Sequence, residues 1–92
     1  MDAFLHNLRE DDAGIFEVEV SFGEETPQVY RVYRGGKDRN FCGLNVDDEL
    51  FRKLVDAGGD NYVKELTFII FVFMMERPIP DLPYKLDGTF KR

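Results

Sequence analysis

Between Tyr30 and Asn40 the chain reads Tyr-Arg-Val-Tyr-Arg-Gly-Gly-Lys-Asp-Arg-Asn, which sets four basic residues and two tyrosines around a Gly-Gly pair. That composition suits anion binding. Guanidinium forks match phosphate oxygens two at a time, backbone N–H groups at a Gly-Gly turn can cradle an anion, and aromatic rings spaced along a strand can stack bases. A nucleic-acid or phosphate binder acting through Arg31, Arg34, Lys37 and Arg39 is therefore one reading of the chain. The competing reading, and the preferred one, is a hairpin whose arginines pair with Glu17, Glu19, Glu24 and Glu25. The Gly-Gly-Lys triplet is no Walker loop, because the upstream glycine spacing and the hydroxyl after the lysine are both missing.

Residues 10–25 carry the opposite charge. Glu10, Asp11, Asp12, Glu17, Glu19, Glu24 and Glu25 fall there with no basic residue among them. A dense acidic face steers encounter with a basic protein surface more than it holds the complex. These seven residues are the candidate contact with a protein partner.

Catalytic chemistry is poorly supplied. Cys42 and His6 are the sole cysteine and the sole histidine, and a cysteine beside Phe41 in a strand-like run reads as a small buried hydrophobe. Zinc would need more nitrogen or sulfur ligands than these two. Asp47, Asp48 and Glu49 are consecutive, so on a helix they diverge, and the positive end of the helix already accounts for their charge. Ser21 alternates outward on a strand with no histidine near it in sequence. The expectation is a protein without catalytic residues, cofactor or metal.

The elements that must position these residues follow from periodicity. Residues 15–22 alternate, with Phe16, Val18, Val20 and Phe22 against Glu17, Glu19 and Ser21, the period of a half-buried strand. Residues 28–34 give a second strand with Tyr30 and Val32 on one face and Val29, Arg31 and Tyr33 on the other. An antiparallel hairpin brings Glu17 or Glu19 opposite Arg31. Residues 41–44 are read as a third, short strand. Asn45 is placed as the N-cap of a helix over 46–57, with Asp48 returning the bond. Val46, Leu50 and Leu54, flanked by Phe51 and Val55, form its apolar face, and Gly58 ends it. Residues 2–9 read as a short helix with Phe4, Leu5 and Leu8 on one side, closed by the turn Asp11-Asp12-Ala13-Gly14.

The chain's dominant feature lies at Leu66–Met75, where nine of ten residues are apolar and none is charged. A continuous apolar run does not reveal its own period. With no turn residue between Asp60 and Arg77, the apolar element over 61–77 is read as a helix, with a central buried strand as the alternative. Residues 78–92 form a proline-punctuated tail. A small sheet and one helix cannot wrap a helix that is apolar all round, so a symmetric homodimer is expected. Its self-association residues are Leu66, Ile69, Ile70, Phe73 and Met74.

Size and charge bound the rest. Ninety-two residues make a single domain, with a net charge of −6 that disfavours generic nucleic-acid or anionic-membrane binding. Nine Phe and four Tyr without Trp give an aromatic core, each buried ring removing about 150–250 Å² from water. A lone cysteine suggests a reducing compartment, the apolar run is far short of the ~20 residues that span a bilayer, and a cytoplasmic location is expected. The fold expected is α+β, a small antiparallel sheet packed by helix 46–57 and the element 61–77. The function expected is a non-catalytic protein-interaction module, such as a regulator, inhibitor or subunit.

Overall fold

The computed structural model describes residues 1–35, 40–75 and 84–86. In chain order the elements are β1 (Ala3–Glu10), β2 (Phe16–Phe22), β3 (Gln28–Arg34), β4 (Asn40–Phe41), β5 (Leu44–Val46), α1 (Asp48–Gly58), α2 (Asp60–Met74) and β6 (Tyr84–Lys85). The fold is α+β, as the sequence leads one to expect. The six strands form one antiparallel sheet in the order β4-β5-β3-β2-β1-β6, wider than the two or three strands read from periodicity.

The extra strands come from β6, from the division of residues 41–44, read as one strand, by a turn at Cys42 and Gly43 between β4 and β5, and from β1, which occupies the stretch read as a short helix. β1 pairs with β2 from Ala3↔Phe22 to Glu10↔Phe16, with a register shift between Leu5 and Asn7. That bulge admits His6 as one additional residue. The inward side chains therefore run Ala3, Leu5, Leu8, and the Leu5–Leu8 gap of three imitates helical spacing. A periodicity argument cannot separate a bulged strand from a helical turn over so few residues.

Of the two registers open to the β2–β3 hairpin, the structure adopts the one with Glu17 opposite Arg31 and Val18 opposite Tyr30. Its partner turn between β1 and β2 is held by Asp11, whose Oδ1 accepts the N–H groups of Ala13 and Ile15 at 2.9 Å each. Such a side chain mimics a backbone turn.

Both helices cover the same sheet face. Its inward set is Leu5, Leu8, Phe16, Val18, Val20, Tyr30, Val32, Leu44 and Val46, clustered with Leu50, Leu54, Val63, Leu66, Ile69 and Ile70 of the helices. The N-cap of α1 is Asp47, whose carboxylate accepts the Glu49 N–H at 3.3 Å. Asn45 instead belongs to β5, opposite Tyr33. The Asp47 N–H also donates to the Arg31 carbonyl, so the cap ties the helix start to β3. Gly59, at φ +70°, turns the chain directly from α1 into α2.

The apolar run is helical. α2 packs beside α1 and reaches the β5 and β4 end of the sheet. Thr67, fully buried in it, donates its hydroxyl to the carbonyls of Val63 and Lys64 at 2.9 and 3.0 Å, which removes the cost of burying a hydroxyl. Among the described residues no helix is long and apolar enough to cross a membrane. The proposed boundary at residue 77 and the tail 78–92 fall mostly outside the described residues.

Candidate interaction surfaces

The outward side of α2 carries Lys64, Phe68, Phe71 and Met75, spaced four, three and four residues apart and so aligned on one face. Phe68 is 44% exposed, Phe71 38% and Met75 53%, with half-buried Val72 beside them. This ridge is distinct from the self-association set read from the sequence. Leu66, Ile69 and Ile70 are completely buried within the monomer, where they face the sheet. Phe73 and Met74 are partly buried and pack on the same core. The Phe73 ring stands edge-on to Phe16 at 6.4 Å between centroids. The apolar run thus divides by helical face: one side builds the core, and the other presents aromatic and thioether surface to solvent. The division was illegible in the sequence because both sides are apolar.

The seven acidic residues do not form one face. Glu10, Asp11 and Asp12 sit at one end of β2, Glu24 and Glu25 at the other, roughly 20 Å away along a seven-residue strand. Glu17 and Glu19 project from the sheet's open side between them. Several are already engaged. Glu10 binds Arg34 at 2.8 Å, Glu17 pairs with Arg9 and faces Arg31 across the hairpin, and Asp11 holds its turn.

The basic stretch is divided in the same way. Arg34 is clamped between Glu10 and the ring of Phe16, 5.0 Å from the ring centroid, and Arg31 lies on the open sheet side. Lys37 and Arg39 fall outside the described residues. The preferred sequence reading, arginines paired with carboxylates, fits these positions in kind, although the partner of Arg34 is Glu10.

Cys42 is exposed in the β4–β5 turn, with φ +54°. Three strand spacings, about 14 Å, separate β5 from His6 on β1. Strand pairing instead joins His6 to Ser21, with Nε2 and Oγ 2.6 Å apart. Sequence reasoning missed this pair because fifteen residues separate its members. Only the β1–β2 register could have revealed it. Ser21 is 6% exposed, so the contact satisfies a buried hydroxyl rather than presenting a nucleophile. Among the described residues, no three His, Cys, Asp or Glu side chains converge as metal ligands.

A trough runs beside the first half of β3. One cavity of about 460 Å³ is lined by Glu25, Thr26, Gln28, Val29, Tyr30, Glu49 and Lys53. A second of about 290 Å³ continues it past Arg31, Tyr33 and Asp47, sharing Val29, Tyr30 and Glu49. Lys53 reaches over it from α1, and a hydrogen bond to Tyr30, assisted by the charges of Glu25 and Glu49, holds its ammonium above the ordinary lysine value.

No family model matches the chain, and neither a curated protein nor a solved structure matches it. The surfaces themselves must therefore carry any functional reading.

Proposed function

We propose that this protein is a small non-catalytic interaction module that self-associates through the outward ridge of α2. The observation behind this reading is the ridge itself: three large apolar side chains at 44%, 38% and 53% exposure, aligned on one helix. Aligned exposed apolar groups of this kind mark interaction sites. Two copies of one helix face can meet about a two-fold axis, each burying the other's phenylalanines, and methionine suits such a seam because its unbranched side chain adapts to its neighbours. The functional surface would then be built from residues adjacent to Leu66, Ile69 and Ile70 rather than from those residues.

Mass measurement by light scattering across a dilution series tests this. The native chain should sediment and scatter as a dimer at high concentration. Phe71→Glu should give a monomer with unchanged circular dichroism, since Phe71 is outside the core. A native protein that stays monomeric up to about 1 mM, where a Kd would correspond to only ~4 kcal/mol, would refute the reading.

A further inference from the structure

The trough beside β3 differs from the α2 ridge in kind, because backbone borders it. β3 is paired with β2 from Gln28 to Val32. On its other side β5 reaches only Val32, Tyr33 and Arg34. After Val46 the chain leaves the sheet, at Asp47, to begin α1. The position that a longer β5 would fill, alongside Gln28–Arg31, is taken by no strand among the described residues.

Backbone polarity at this edge follows from two hydrogen bonds. The Arg31 carbonyl accepts the Asp47 N–H on the β5 side, and the Gly35 N–H donates to the Gly43 carbonyl on that same side. Successive residues of a strand point their N–H and C=O groups in alternate directions, so odd-numbered residues of β3 face β5 and even-numbered ones face β2. Val29 therefore directs both its N–H and its C=O into the trough. Its side chain, 62% exposed, lies on the open face of the sheet beside those of Arg31 and Tyr33.

We infer that the trough is an acceptor site for an extended peptide of a partner protein, which adds to β3 as an antiparallel strand in line with β5. The residue opposite Val29 would exchange two backbone hydrogen bonds with it, the mode of recognition by strand addition. Side-chain preference follows from the walls. Residues of the peptide opposite Gln28 and Tyr30 point inward, toward Glu25, Glu49 and Lys53, and Asp47 lies at the far end. The Lys53 ammonium lies over the Tyr30 ring, 5.7 Å from its centroid. Glu25, Glu49 and Asp47 outnumber the two cations that line the trough, Lys53 and Arg31, so it is net negative and the inward positions favour lysine or arginine. The residue opposite Val29 points outward and packs on Val29, which favours a β-branched side chain. The partner is thus an extended segment with alternating basic and β-branched residues. This site is independent of the α2 ridge, and either surface could fail without the other.

A synthetic peptide, acetyl-Thr-Val-Lys-Val-Lys-Val-Thr-amide, titrated into isotopically labelled full-length protein, tests the inference. The Val29 amide resonance should shift and its hydrogen exchange should slow. The double variant Glu25→Gln, Glu49→Gln should weaken binding by about fivefold or more, the scale of losing exposed charge pairs. Val29→Pro should abolish it. That variant removes the donor facing the trough and leaves the bonds to β2 intact, since even-numbered residues make them; edge strands accept proline at such positions. Should Val29→Pro not fold, a peptide N-methylated at its central valine removes the matching donor from the ligand and should fail to bind native protein. An unshifted Val29 amide at about 1 mM peptide would overturn the proposal. So would equal binding of the peptide with glutamates in place of its lysines, or a change in the mass of the peptide-free protein on Val29→Pro, which would make a second copy the occupant.

Discussion

Gly58 and Gly59 show how much a single side chain can decide. The sequence offers two consecutive glycines at the end of α1, and capping logic selects the first as the residue that leaves the helix. In the structure Gly58 stays helical and Gly59 takes the left-handed conformation, at φ +70°. The Tyr62 ring accounts for the glycine at 58. A β-carbon on Gly58 would lie 2.5 Å from three of its ring carbons. The ring is 8% exposed, and its hydroxyl donates to the Met1 carbonyl at 3.2 Å. Glycine is thus required at 58 for close approach and at 59 for backbone conformation. The pair was legible as a breaker, but not the division of labour within it. Gly58→Ala sets two effects against each other. Helix propensity gains about 1 kcal/mol, and overpacking against an anchored ring costs about 1–3 kcal/mol. The clash should win, lowering the melting temperature by about 5 °C on the scale of a domain this size. In a Tyr62→Val background the same substitution should raise it. A higher melting temperature for the single variant would show that the ring yields freely.

At the level of elements, what the sequence conveyed depended on whether each element obeyed one period. β2 and β3 alternate without interruption, and their limits were legible almost residue by residue, the register only as a choice between Glu17 and Glu19 opposite Arg31. α1 was legible from Leu50 and Leu54, with its cap misplaced from Asp47 to Asn45 because both residue types cap well. β1 was misread because His6 breaks its alternation, and α2 remained ambiguous because a run apolar on every side has no period to show. The bulge makes a sharp prediction. Deleting His6 leaves Leu5, Asn7, Leu8 and Arg9 in strict alternation, so Leu5↔Val20, Asn7↔Glu19 and Leu8↔Val18 all survive. The loss is the bond to Ser21 and the local twist, about 1 kcal/mol for the bond. Deleting Glu19 from β2 has the same length but a different consequence. It slips the register by one and sends either Val18 and Phe16 or Val20 and Phe22 to the solvent face. Thermal denaturation followed by circular dichroism should find a cooperative transition for the His6 deletion, a few degrees below native, and none for the Glu19 deletion. Similar destabilisation by both would mean that the bulge, and not the alternation, fixes the register.

For the molecule as a whole, the governing fact is that two layers leave two faces outward. The sheet's open side is largely occupied by charge, with Arg9 on Glu17 and Lys85 3.3 Å from Asp2. Among the described residues, the outward side of α2 is apolar at Phe68, Phe71 and Met75, with Lys64 in line with them. Phe71 and Met75 keep 38% and 53% of their surface exposed in the monomer, and burying that remainder against a second copy removes apolar area from water at roughly 25 cal/mol per Å². The proposed association on this ridge would couple to folding, because a dimer that unfolds to two chains becomes more stable as concentration rises. Each tenfold increase is worth about 1.4 kcal/mol per dimer, or a rise in melting temperature of roughly 2–5 °C for protomers of this size. Calorimetry from micromolar to millimolar protein should show that rise for the native chain and none for Phe71→Glu. A melting temperature constant over the whole range would place the ridge among scattered exposed apolar residues that need no partner, whereas a rise that persists in Phe71→Glu would move the contact to another face. The slope and its loss on substitution together identify the surface, which a mass measurement alone does not.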